Sequence, residues 1–278
     1  MAAPSLPPRA NKPPPPPVPR STKPNLPKRF PAIKKKRCLL WDWTCTDEKN
    51  GVPWAMDKID FQYVSSVCNW NAWTPPELKD RVPFRPMVRT EGQLEGWEWT
   101  AISETKEPII HFFNEPERIP IAAEKAADIW MERMVPLQTK GKKVSSPGCA
   151  SDPGGEAWLD KFMSLTSSHP PDFLNLHYYG PDGNGAIAYL EKLHSKYPGL
   201  PVIVSEIACI SRDIGQVHAF TKRLVNWMDE TDWIFEYAFF GCMPKPADEF
   251  VSPQAQLMNE DGSFTALMKK LMIEQPMT

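Results

Sequence analysis

From Cys38 onward, short apolar runs alternate with stretches in which apolar residues recur every three or four positions. The runs suit strands buried on both faces, and the longer repeats suit helices that lay one face on a sheet. Eight strands are predicted, at residues 38–43, 64–70, 85–89, 109–113, 143–146, 173–178, 202–205 and 235–240. A helix is expected from about Ile121 to Val135. Four further stripes mark others: Trp158, Phe162 and Leu165; Ile187, Leu190 and Leu193; Val217, Phe220, Leu224 and Trp227; Phe264, Leu267, Met268 and Leu271. Shorter helices are placed around residues 55–62 and 75–81. Eight strands alternating with helices point to an α/β fold, a (β/α)8 TIM barrel, and 278 residues are enough for one. A doubly wound open sheet is the competitor, but no glycine-rich phosphate loop follows the first strand.

Before Cys38 the pattern fails. Residues 1–36 hold twelve prolines, including the run Pro13 to Pro17, and almost nothing apolar to bury. Such density favours solvated polyproline II over packing, so a disordered proline-rich basic tail (1–36) is expected ahead of the barrel (37–278). A spacer is the plain reading; the P-x-x-P spacing also suits an SH3 or WW-type partner, and Lys34 to Arg37 a basic address. The formal charge of −2 conceals the asymmetry this creates. Residues 1–37 carry ten Lys or Arg and no acid, leaving 22 bases against 34 acids, a net of −12, for the rest. A body so acidic is a poor general nucleic-acid binder.

The six cysteines form no C-x-x-C pair and fall in apolar runs, as structural thiols do. No stretch approaches the ~20 apolar residues of a membrane span, and the N-terminus lacks a signal-peptide core, so an intracellular protein without membrane contact is expected. A monomer without metal or organic cofactor is expected.

Two strand ends carry candidate chemistry. Pro116 stops the run Ile109 to Phe113, leaving Glu115 at a strand's carboxyl end with Asn114 beside it; the run Val202 to Ser205 delivers Glu206 in the same way. In a barrel that end is where active sites are built. Two carboxylates so placed suit glycoside hydrolysis, in which one protonates the leaving oxygen while the other attacks or stabilises an oxocarbenium-like centre. The same register gathers Asn69, Trp70, Asn71 and Trp73, then His177, Tyr178 and Tyr179, then Phe239 and Phe240 over one mouth. Aromatic faces stack on sugar rings, and Asn, His and Tyr bond hydroxyls. Trp41, Trp130 and Trp158 read as core.

The segments Val67-Cys68-Asn69-Trp70-Asn71, Phe113-Asn114-Glu115-Pro116-Glu117, Ser146-Pro147-Gly148 with Trp158-Leu159-Asp160-Lys161-Phe162, Leu176-His177-Tyr178-Tyr179 and Val204-Ser205-Glu206 together resemble glycoside hydrolase family 128. The resemblance runs from about Cys38 to Ile273. It implies a clan A barrel that hydrolyses β-1,3-glucan with retention, Glu115 being the acid/base and Glu206 the nucleophile. Trp70, Asn114, His177 and Tyr179 are the substrate contacts it suggests, and the strand register adds Asn69 and Phe239. Glu115 is then expected to be protonated at rest, its pKa raised by burial and by the charge of Glu206. A barrel that binds β-1,3-glucan without cutting it is the rival reading. A wall-directed glucanase would also carry a signal peptide where this chain has its basic proline-rich tail.

Overall fold

Runs of β-branched and aromatic residues form eight parallel strands in the computed structural model, which describes residues 35–42, 45 and 55–278. They are β1 (Arg37–Leu40), β2 (Val64–Cys68), β3 (Met87–Val88), β4 (Ile109–Phe112), β5 (Lys143–Val144), β6 (Leu174–Gly180), β7 (Val202–Cys209) and β8 (Ile234–Phe239). One sheet has the order β2-β1-β8-β7-β6 and the other β3-β4-β5. Isolated parallel bridges join Val67 to Phe84 and Ser145 to Phe173, linking the edges of the two sheets. All eight residues of β7 are buried, as a strand covered on both faces requires.

Among the described residues, seven α-helical segments cover the strands: α1 (Gly96–Ser103), α2 (Ala123–Ile129), α3 (Val135–Thr139), α4 (Pro153–Leu165), α5 (Gly183–Lys196), α6 (Ile214–Glu230) and α7 (Ala266–Ile273). Asp152, Asp182 and Asp213 cap α4, α5 and α6, each carboxylate accepting from first-turn amides that have no partner within the helix. The helix expected over 121–135 is two segments joined by a π turn, Trp130–Met134. Pro136 explains the break, since it has no N–H to continue the ladder.

Three expectations change. The inner stripe of α4 is Leu159, Phe162 and Met163, while Leu165 is exposed and Trp158 half-buried, its indole donating to the Ile121 carbonyl. Around residues 55–62 and 75–81 only the 3-10 turns Ala55–Lys58 and Pro76–Leu78 form. Helix α1 went unpredicted because it buries only Ile102 and so shows no apolar stripe.

Arg37 also departs from its reading as part of a basic address. It is buried on β1, where it pairs with Asp229 at 2.8 Å and donates to the Tyr237 hydroxyl, which in turn donates to Asp229. Lys36 donates to the Met228 and Thr231 carbonyls at the end of α6, a favourable place for a cation. The remaining tail, residues 1–34, lies outside the described residues. A second ion pair lies between β8 and the strand edge before β3: Arg85 donates twice to Glu236, at 3.0 and 2.9 Å, and Ser65 and Ser66 donate to the same carboxylate. All six cysteines are buried, and Cys38, Cys68, Cys149, Cys209 and Cys242 form no disulfide among the described residues. Among the described residues, no helix is long and apolar enough to cross a membrane.

Candidate active site

The strand register brings the two glutamates together around a histidine. His177 on β6 lies opposite Glu206 on β7. On the other side, the Ser-Pro-Gly loop after β5 pairs with β6 through Cys149 and Leu176 and with the end of β4 through Gly148 and Asn114. Glu115 hangs from that second pairing, its amide donating to the Gly148 carbonyl at 2.7 Å. One ligand-type atom from each of Glu115, His177 and Glu206 lies within 4.8 Å of the other two.

The backbone here is held where side chains seldom sit. Phe113 and Glu115 each have φ 42° and Trp70 has φ 59°, in the left-handed region that costs a bulky residue about 1–3 kcal/mol. The backbone amides of Phe113, Asn114 and Glu115 donate hydrogen bonds to the carbonyls of Val88, Arg89 and Gly148, and these enforce the bend after β4. Its effect is to turn Glu115 into a cleft of about 820 Å³ that Trp70, Asn114, Tyr179, Glu206 and Phe240 also line.

Glu206 is nearly buried and fully engaged. The Trp70 indole donates to one oxygen and the Tyr179 hydroxyl to the other, each at 2.7 Å. Burial first, then the charge of Glu206 and this hydrogen bond, push the Tyr179 phenol well above its ordinary range, so it remains a donor. With both oxygens taken by donors, Glu206 is set as an oriented carboxylate.

Glu115 is a quarter exposed, and its Oε1 lies 3.0 Å from Nδ1 of His177. Burial pushes its pKa up, but the hydrogen bond and charge of His177, with Arg118 behind, outweigh burial and leave it below the ordinary carboxylate value. This reverses the expected raised value, because the positive partner on β6 could not be seen in the chain. Burial works against the charge on His177, yet Glu206 and Glu115 outweigh it and raise its pKa.

His177, expected as a substrate contact, is buried beneath the cleft and is not among the residues that line it. It is 1% exposed, and its other ring nitrogen lies 3.0 Å from the Ser205 hydroxyl. Asn69 is also fully buried, holding the loop that carries Trp70: its amide donates to the Trp73 carbonyl and its oxygen accepts from the Asn71 amide. Phe239 faces the helix side with Tyr237, while strand alternation turns Phe240 into the cleft. Trp70, Asn114 and Tyr179 do line the cleft, and the buried Asn114 Oδ1 has no partner among the described residues.

Further lining residues went unread: Phe250, Arg118 with its ion-pair partner Asp152, Arg89 and Asp248. Phe250 is 55% exposed with its ring centroid 5.7 Å from that of Tyr179, and Asp248 caps the Phe250 and Val251 amides. An isolated phenylalanine after Asp248-Glu249 was the one signal the chain offered for it.

Comparison with known proteins agrees with this geometry. A family model described as the glycosyl hydrolase catalytic core matches residues 43–270. A crystal structure of a family 128 (subgroup VI) exo-β-1,3-glucanase from Aureobasidium namibiae is 52% identical, with a TM-score of 0.86 over 88% of this chain and 99% of that one. The chain belongs to glycoside hydrolase family 128. A family 128 endo-β-1,3-glucanase from Lentinula edodes, 23% identical with a TM-score of 0.72 over 86% and 99% of the two chains, shares the fold. Alkali-sensitive linkage protein 1 of Schizosaccharomyces pombe is 30% identical over 140 residues, 46% of this chain. The match spans about a quarter (26%) of that relative's length. Family 128 membership gives the α/β architecture with parallel sheets and the hydrolase class a common source.

One glycine makes the site possible. A Cβ on Gly148 would lie 2.5 Å from Nε2 of His177 and 3.0 Å from Nδ2 of Asn175. His177 is pinned on both sides and cannot retreat. Gly148→Ala is therefore expected to displace His177 and to lower the kcat/KM of hydrolysis by about 10- to 100-fold, with KM little changed. Steady-state kinetics beside circular dichroism checks this; an unchanged kcat in a folded variant would contradict it.

Proposed function

We propose that this chain is a retaining β-1,3-glucanase on a (β/α)8 barrel, with residues 37–278 as the catalytic unit. Barrel closure is supported by the two bridges between the sheet edges, which would complete a ring in the order β1 to β8. The observation that carries the functional reading is the juxtaposition of Glu115 and Glu206, with carboxylate oxygens within 4.8 Å across an open cleft. Retaining enzymes hold their carboxyls about 5–5.5 Å apart, whereas inverting enzymes leave about 6.5 Å or more for a water.

In this reading Glu206 attacks the anomeric carbon while Glu115 protonates the departing oxygen. The Trp70 and Tyr179 hydrogen bonds aim Glu206 at the substrate. Water activated by Glu115 then releases the glycosyl group from Glu206. Trp70, Tyr179, Phe240 and Phe250 would offer faces to the glucosyl rings, and Asn114 Oδ1 would accept from a hydroxyl. β-1,3-Glucan and its oligosaccharides are the proposed substrates.

The 52% identity to an exo-acting enzyme supports cutting from a chain end. Purified protein on laminarin and reduced laminari-oligosaccharides is expected to release one short product from the start. A ladder of intermediate lengths would make the enzyme endo-acting. Binding without new reducing ends would sink the hydrolase reading in favour of an oligosaccharide-binding barrel.

A further inference from the structure

We propose that the proton delivered by Glu115 is stored at rest on Nδ1 of His177, with Ser205 holding the imidazole between the two glutamates. This rests on the reading of Glu115 as general acid. Nδ1 lies 3.0 Å from Glu115 Oε1 and 3.7 Å from Glu206 Oε2, and Nε2 lies 3.0 Å from Ser205 Oγ. The ring is buried, so neither nitrogen turns to water.

The charged and titratable groups that face His177 decide where one proton rests. Glu115 and Glu117 face it from the segment after β4, Glu206 faces it from β7, and His111 from β4. His111 is out of the contest. Burial first, then Arg85 and His177, lower its pKa to about 3, so it stays neutral. A proton on Glu115 would leave Glu206 without a counter-charge in a low-dielectric site. The same proton on the imidazole compensates both carboxylates at once. Ser205 is the residue before Glu206 on β7, so its bond to Nε2 ties the ring to the strand that carries the nucleophile.

The reaction needs the proton one hydrogen bond away. A glucosyl ring seated in the cleft removes water from Glu115, and loss of water favours the neutral acid and neutral imidazole over the ion pair. The proton passes from Nδ1 to Oε1 of Glu115. It then goes to the glycosidic oxygen as the C1–O bond breaks and a Glu206–C1 bond forms. In the second half, water attacks C1, its proton goes to Glu115 as the Glu206–C1 bond breaks, and that proton returns to Nδ1. The cluster finishes with the proton count it began with. His177 acts only through Glu115, as a positioning and proton-holding residue.

Two measurements on the full chain test this. The pH dependence of kcat/KM reports groups of the free enzyme. For the wild type the alkaline limb is expected above the ordinary imidazole value of 6.5. In His177→Asn, which keeps an amide near the Nδ1 position but cannot carry the proton, the limb is expected to move down by at least about one pH unit. Ser205→Ala should move it in the same direction by less. Nitrogen-15 NMR of histidine-labelled wild type reads the ring directly and does not depend on the variants folding: both nitrogens of His177 should be protonated at pH 6.5. An active wild type with a neutral His177 at that pH, or a limb unmoved in folded His177→Asn, overturns the proposal and leaves the hydrolase reading standing. An inactive wild type overturns the hydrolase reading, and the proposal falls with it.

Discussion

Glu206→Gln should lose about 10⁴- to 10⁶-fold in kcat on laminari-oligosaccharides while keeping its fold and its affinity for them. Gln is close in shape to Glu, and its side-chain oxygen can still accept from the Trp70 indole, so the loss would measure the missing nucleophile. Glu115→Gln should lose less, about 10²- to 10⁴-fold, because only proton transfer is removed. The pair separates on leaving group. An aryl β-glucoside whose phenolate needs no protonation should restore much of the first-step rate in Glu115→Gln and none in Glu206→Gln. Equal losses on both substrates would mean that the roles are wrongly assigned, even if both residues matter.

The largest effect on stability is expected at the ion pair of Arg85 and Glu236, where both side chains are at most 6% exposed. Arg85→Met would strand a carboxylate inside the protein with only Ser65 and Ser66 to bond it. Breaking a buried pair from one side costs about 3–5 kcal/mol, because the remaining charge is neither solvated nor matched. The double variant Arg85→Met/Glu236→Leu should recover most of the loss, since two apolar groups cost nothing in desolvation. Urea unfolding with a common m-value checks both statements. A single variant within about 1 kcal/mol of wild type would mean that water or relaxation reaches Glu236.

The chain made its strands legible because parallel strands covered on both faces are written as continuous apolar runs. β4, β7 and β8 are placed close to where those runs lie, and the helices α5 and α6 follow their stripes. What stayed hidden has a common cause. Helix α1 buries only Ile102 fully, with Trp99 and Ala101 half-buried beside it, so no apolar period records it. Arg37 follows a basic run but pairs with Asp229, 192 positions on, and nothing local announces that partner.

The site divides in the same way. Glu115 was readable from the end of its strand; Glu206 was readable only as the acid after an apolar run, since β7 continues to Cys209 and holds it inside the strand rather than beyond its end. His177 was readable as a residue at the mouth but not as the partner of both, because that depends on the register of β6 against β7 and on the Gly148 loop. The protonation of Glu115 was misjudged for that reason: burial can be guessed from a run of apolar residues, an imidazole 3.0 Å away cannot. Phe239 and Phe240 show the finest limit, since a one-residue choice of face decides which ring meets the cleft.

The central claim is that Glu206 forms a covalent bond to the sugar and Glu115 serves both halves of the reaction. The most direct test is proton NMR of the anomer first formed on the donor side when the enzyme cuts a laminari-oligosaccharide, followed before mutarotation. The β-anomer should form first, with the α-anomer appearing only as the solution equilibrates. An α-anomer formed first would mean inversion by a single displacement, and would contradict a nucleophilic role for Glu206.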